Sequence, residues 1–166
     1  LKTIPGRNGY GFKVSVTSDG NDATTVFTIT GTIVGQTTNG GIGTDTITGV
    51  NTNTVSSTKY FSSVTSVVAS ATSTNDVSVG YTADLALPRT RIKGLYYVGS
   101  GSAGSIVITS ANVTAPLYKI ITPTSAASFA DSLFMPAEGI LVGGDARDDF
   151  ATVTISNVTS FTLLCG

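Results

Sequence analysis

The chain has 166 residues, 40% of them hydrophobic and only 11% charged, and nine Lys and Arg nearly balance ten Asp and Glu for a net charge of −1. That composition excludes a disordered chain, which combines low hydrophobicity with high net charge, and it lacks the basic footprint of a nucleic-acid binder. Histidine is absent and Cys165 is the single cysteine, so a histidine-dependent nucleophilic site, an intrachain disulfide and a Cys/His zinc site are excluded as well.

Residues 1–12 read as an extended arm. Pro5, Gly6, Gly9 and Gly11 interrupt it, Lys2 and Arg7 give it a positive charge, and no periodicity would let it build a core. Strands begin at its end. Phe12, Val14 and Val16 alternate with Lys13 and Ser15, Asp19-Gly20-Asn21-Asp22 supplies a turn, and residues 26–32 return as a second strand. Asn39-Gly40-Gly41 predicts another turn and residues 44–50 a third strand. Residues 59–68 carry a longer pair of apolar alternations at Tyr60, Phe61, Val64 and Val67. Thr74-Asn75-Asp76 then turns into a strand starting at Val77.

At residues 81–88 the Thr-rich pattern gives way to Ala83, Asp84 and Pro88, which predicts a domain boundary near residue 84. Further strands are expected at 89–98, 105–110, 116–121, 140–142, 151–155 and 160–164. Residues 125–133 are the one window with helical potential, and without caps it amounts to one or two turns. The expected architecture is all-β: the arm over 1–12, then two small antiparallel β-sandwich domains in tandem, over 13–83 and 84–166. Each domain is small enough to need support from a neighbour, and lysine, the usual guard of sheet edges, is scarce. A self-associating assembly component is therefore expected.

Few constellations carry chemistry. Gly143-Gly144-Asp145-Ala146-Arg147-Asp148-Asp149 gathers three carboxylates, and Asp145, Asp148 and Asp149 are a candidate calcium site; the competing reading is a solvated loop in which Arg147 balances its neighbours. Asp19-Gly20-Asn21-Asp22 is explained as a turn. The glycines of Gly99-Ser-Gly-Ser-Ala-Gly104 match a dinucleotide fingerprint, but a strand follows where a helix would have to hold the pyrophosphate, so the segment reads as a hairpin loop. Asn112 and Asn157 open Asn-x-Thr sequons, which arise by chance in a Thr-rich chain. Arg89, Arg91 and Lys93 occupy alternate positions and project from one strand face, with Tyr96 and Tyr97 expected to be exposed beside them. Arginine and tyrosine are enriched at protein interfaces. The longest apolar stretches fall well short of the roughly 20 residues that span a bilayer, so no membrane partner is expected.

Phe12-Lys-Val-Ser-Val-Thr-Ser-Asp-Gly-Asn-Asp, Phe27-Thr-Ile-Thr-Gly-Thr, Thr46-Ile-Thr-Gly-Val-Asn, Ser57-Thr-Lys-Tyr-Phe and Val77-Ser-Val-Gly together resemble a β-sandwich module of tailed-bacteriophage virion proteins. Thr90-Arg-Ile-Lys-Gly-Leu-Tyr-Tyr-Val, Ala103-Gly-Ser-Ile-Val-Ile, Pro136-Ala-Glu-Gly-Ile-Leu-Val and Val153-Thr-Ile-Ser-Asn-Val-Thr-Ser are similar to a small β domain of phage structural proteins. The resemblance implies a virion component without catalytic residues. A capsid decoration, or cement, protein is expected on the outer surface of the head, oligomeric and often trimeric, bound to the major capsid protein. Lys2 and Arg7 of the arm, with Arg89, Arg91, Lys93, Tyr96 and Tyr97, are then the expected contact residues. A tail, neck, baseplate or fibre component is the alternative placement, and a carbohydrate-binding module using tyrosines is the alternative class. No enzymatic activity, cofactor or nucleic-acid partner is expected beyond the candidate calcium.

Overall fold

A computed structural model describes residues 10–36, 38–87, 89–110, 118–122, 130–134, 138–142 and 150–166. The chain is all-β, as expected, and divides into two compact units, Leu1–Ala86 and Leu87–Gly166.

The first unit contains β1 (Gly11–Ser18), β2 (Val26–Ile33), β3 (Ile42–Thr48), β4 (Thr54–Ala69) and β5 (Val77–Leu87), in the spatial order β3-β2-β4-β1-β5 with every pair antiparallel. Gly11 and Phe12 already pair with β4 and β5, so the expected arm over 1–12 ends too late. Phe12 joins the sheet because its ring packs against the core. The boundary between the units falls between Ala86 and Leu87, where one was expected near residue 84, and β5 runs through 81–87 with Asp84 held by Lys13 of β1 at 3.7 Å.

The pair of apolar alternations at 59–68 lies within one strand, β4, with two partners. Its first half pairs with β1 and its second with β2, and Phe61 is the joint, paired with both Phe12 and Ile33. Between Ile33 and Thr30 the register with β2 slips twice, each time by one extra residue in β4. Such bulges turn the strand and shift its facing. Phe61, Val64 and Val67 therefore all reach the core at a spacing of three, joining Val14, Val16, Phe27, Ile29, Ile33 and Ile47.

A wider slip lies opposite Lys13 to Ser15, where β1 meets β4. Here the buried Ser57 hydroxyl accepts from the Val14 N–H at 2.9 Å and donates to the Lys59 carbonyl at 2.8 Å. The next two amides find a carboxylate: Thr58 N–H and Lys59 N–H donate to Asp45 Oδ2 at 2.8 and 2.9 Å, and the Thr58 hydroxyl also contacts it at 3.0 Å. Asp45 Oδ1 accepts the Thr46 N–H at 2.9 Å. Partial burial works against the charged form, but the hydrogen bonds from Lys59, Thr58 and Thr46 outweigh it and hold the carboxyl below its ordinary 3.8.

A carboxylate whose folded pKa is depressed stabilises the fold above its unfolded pKa, and the gain disappears as pH falls through the folded value. Asp45→Asn cannot satisfy donors on both sides, because its amide nitrogen faces one of them. We expect it to cost about 1–2 kcal/mol at neutral pH, after allowing for the screening of a half-exposed group. That difference from the parent chain should begin to close below about pH 4 and disappear as pH falls through the lower, folded value. Urea titrations of both proteins at a series of pH values measure it, and a gap that persists at acid pH would remove the carboxylate charge from the explanation.

The second unit contains β6 (Thr90–Gly99), β7 (Gly104–Ser110), β8 (Tyr118–Thr122), β9 (Ala130–Phe134), β10 (Ile140–Val142), β11 (Ala151–Ser156) and β12 (Val158–Cys165). One set of strands runs β11-β7-β8, and the other has β6 at its centre with β12 on one side and β9 and β10 on the other. β9 covers 130–134, so the later part of the window with helical potential is extended; residues 123–129 lie outside the described residues. Both sets contribute buried side chains: Ile92, Leu95 and Tyr97 from β6, Val142 from β10, Ile106 and Ile108 from β7, Ala151 and Val153 from β11.

The chain crosses from one set to the other at two neighbouring points, β6 to β7 and β11 to β12. The glycine-rich segment between Gly99 and Gly104 is one of these crossings and not a hairpin loop, since β6 and β7 do not pair. Asn157 makes the other crossing with φ 51°, a left-handed conformation that Asn tolerates better than most residues. Its amide donates to the Ala103 carbonyl at 2.7 Å, and its own carbonyl accepts from Ser100 Oγ at 2.9 Å. These bonds tie the two crossings together.

Candidate functional site

The outer face of β6 carries the cations singled out in the sequence. Arg91 and Lys93 are exposed, with buried Ile92 between them. Between Ile92 and Gly94 the pairing with β12 slips, from Cys165 opposite Ile92 to Leu164 opposite Gly94, which leaves one extra residue in β6. This bulge inverts the facing of everything after it. Leu95 and Tyr97 turn inward, and Tyr96 turns outward to join Arg91 and Lys93.

Tyr97 must therefore be removed from the expected interface. Its residue is 6% exposed and belongs to the core, whereas Tyr96 is 45% exposed. Unbroken alternation would have given the opposite result, with Tyr97 beside the cations.

Two leucines complete the face. Leu141 of β10, opposite Arg91, is 42% exposed, and Leu164 of β12, opposite Gly94, is 50% exposed. Neither was singled out by sequence reasoning. Leu141 is the central residue of a three-residue apolar strand, where nothing marks an outward position. Leu164 is signalled only by sharing parity with Thr162, once that strand's facing is known.

The Arg91 side chain is held by a backbone contact. Arg91 Nη1 donates to the Glu138 carbonyl at 3.1 Å, and the Arg91 carbonyl accepts the Gly166 N–H at 3.0 Å. Gly139, at φ 71°, lets the chain turn close to the Ile92 carbonyl; a Cβ there would lie 2.9 Å from that oxygen. The Lys93 stem passes over Gly166, where a Cβ would meet Lys93 Cε at 2.8 Å. Among the described residues neither Arg91 nor Lys93 forms an ion pair. Among the described residues the face thus presents two cations outside any ion pair, a tyrosine ring and two leucines. Arg89 is exposed just before β6.

Lys2 and Arg7, and the candidate calcium ligands Asp145, Asp148 and Asp149, lie outside the described residues. Among the described residues no group of three or more Asp, Glu or Cys is placed to hold a metal ion. Asp22, in the first turn, is a buried structural carboxylate. Hydrogen bonds from Ser18 and Ser73 hold its pKa down, and Asn75 Nδ2 donates to it at 3.2 Å, tying that turn to the loop before β5.

The structure also gathers three titratable groups that the sequence did not connect. Lys13 Nζ lies 3.7 Å from Asp84 and 5.3 Å from the centre of the Tyr60 ring. Burial, then the negative charge of Asp84, pushes the Tyr60 hydroxyl up to about 12. Tyr60 stays neutral at ordinary pH and Lys13 is charge-paired, so the cluster fastens β1 to its neighbours at the register slip.

No family model matches the chain, and no curated protein or solved structure is significantly similar to it. No helix among the described residues is long and apolar enough to cross a membrane.

Proposed function

We propose that this chain is a non-enzymatic structural protein of a phage virion that decorates the outer surface of the head, binding the major capsid protein through the outer face of β6, β10 and β12. The observation that carries this reading is the placing of two exposed cations, Arg91 and Lys93, neither in an ion pair among the described residues, beside Tyr96, Leu141 and Leu164. Apolar and aromatic anchors ringed by positive charge fit an acidic protein surface with apolar pockets, and arginine and tyrosine are frequent binding anchors. The resemblance of both halves to phage structural modules supplies the identity of that surface. A low-charge chain built as two β units, with its lysines engaged in fold contacts at Lys13 and Lys59, suits a scaffolding role better than catalysis.

Co-sedimentation with mature heads lacking the protein, counted as copies per head, tests the reading. Saturation at hundreds of copies is expected. Arg91→Ala with Lys93→Ala should weaken attachment about tenfold at low ionic strength and less in high salt, because exposed charges are screened there. Binding of a few copies would move the protein to the tail, and binding to glycans with none to heads would overturn the virion reading in favour of a sugar-binding module.

A further inference from the structure

Two of the edge strands, β3 and β12, are protected very differently. An open strand edge offers a row of N–H and C=O groups to any passing chain, and proteins guard such edges with lysine, proline or inward-pointing charge. β3 has these devices: Asp45 turns inward to the amides of β4, and Lys59 Nζ donates to the Thr44 carbonyl at 2.7 Å. β12 pairs with β6 on one side, and among the described residues no strand pairs with its other side. Its eight residues, VTSFTLLC, contain no charge and no proline. They are rich in β-branched, aromatic and apolar side chains that favour strand pairing.

The register of β12 marks which part is free to pair. Slips occur between Val158 and Ser160 and between Leu164 and Cys165, so the five residues from Ser160 to Leu164 form one regular stretch. Within it Phe161 and Leu163 are half-buried, while Ser160, Thr162 and Leu164 are exposed.

We infer that β12 pairs with β12 of a second copy of this chain, antiparallel and centred on Thr162. This register uses all five regular residues. It sets Thr162 opposite its own copy, Ser160 opposite the partner's Leu164, and Phe161 opposite the partner's Leu163. Opposed residues in an antiparallel pair share a face, so exposed residues meet exposed ones and the half-buried Phe161 and Leu163 gain apolar cover from each other. No like charges meet anywhere along it. A strand paired with its own copy is an isologous contact that closes at two chains. The symmetry it sets is therefore two-fold, where the resemblance to decoration proteins implied a trimer.

The test uses the full chain without heads, so it stands or falls apart from the shell-binding reading. Sedimentation equilibrium should show a concentration-dependent dimer. Thr162→Lys, which sets two ammonium groups against each other at the centre, should weaken that dimer at least about tenfold while leaving the thermal unfolding transition in place. Arg91→Ala with Lys93→Ala should leave it unchanged. In a Cys165→Ser background, Thr162→Cys should oxidise to an intermolecular disulfide, because directly opposed Cβ atoms lie about 5 Å apart. Ser160→Cys in the same background should not, being about 13 Å from its own copy in this register. A chain that stays monomeric throughout, a dimer indifferent to Thr162→Lys, or equal cross-linking at 160 and 162 would each overturn the pairing.

Discussion

Phe61→Ala should lower the unfolding free energy of the first unit by about 3–5 kcal/mol, the range for emptying a fully buried phenylalanine site. Phe61 is completely buried and sits where β4 passes from β1 to β2, in contact with the core that both strands supply. Its loss leaves a cavity between backbones tied to each other by hydrogen bonds, so little collapse can refill it. Small domains are stable by only about 5–15 kcal/mol in all, and the variant therefore approaches the limit of folding. The urea midpoint of the first unit, read with an unchanged denaturant slope, measures the effect. A loss below about 1 kcal/mol would mean that Phe61 is not the joint of the sheet. Phe61→Leu, which keeps most of the apolar volume, should recover much of the loss.

Gly31→Ala should cost about 3 kcal/mol although it adds a single methyl group. Gly31 lies in β2 where the register with β4 slips, and a Cβ there would run into the Ser63 carbonyl oxygen and come within 3.0 Å of Val64 Cα. The obstruction is backbone on both sides. Relief requires parting the two strands, and overpacking of this kind typically costs 1–3 kcal/mol or more. Gly80→Ala is the matched comparison, since the nearest atom to a new Cβ is the Ser15 Oγ at 3.3 Å, on a side chain that can rotate. It should be close to neutral, because Ala loses less backbone entropy than Gly on folding. Equal losses in the two variants would show that the close approach at Gly31 does not govern its stability.

The strands themselves were legible because Thr, Val and Ile in alternation favour a half-buried pleat, and most turns are marked by Gly, Asn and Asp. What sequence could not deliver is where alternation breaks. Phe61, Val64 and Val67 share a core at a spacing of three only because β4 carries two extra residues against β2, and nothing in Ser62 or Thr65 announces that. The bulge at Lys93 and Gly94 had the same effect on the candidate site. Arg91 and Lys93 were found by parity; Tyr96 and Tyr97 were both expected beside them, though neighbours in a strand face opposite ways, and the bulge decides that Tyr96 is the one outside. Bulges depend on how two strands meet, so a single strand's pattern does not reveal them. The double pairing of β4 was hidden for a related reason: a sixteen-residue strand with two partners has the same composition as two strands with one each.

The position of β1 in the sheet also governs when the first unit can form. β1 lies between β4 and β5, and its first residue, Gly11, pairs with Ala86. Both partners follow far later in the chain. At ribosomal rates of about 5–20 residues per second, β1 waits about 4–15 seconds before its last partner is made. No local hairpin can shelter it in that interval, since its neighbour in sequence, β2, pairs with β3 and β4. Such non-local topologies fold on the slow side, in milliseconds to seconds once complete. Slowing synthesis would only lengthen the exposure of Val14 and Val16, so faster elongation, or a chaperone that covers nascent strands, should raise the yield of folded protein.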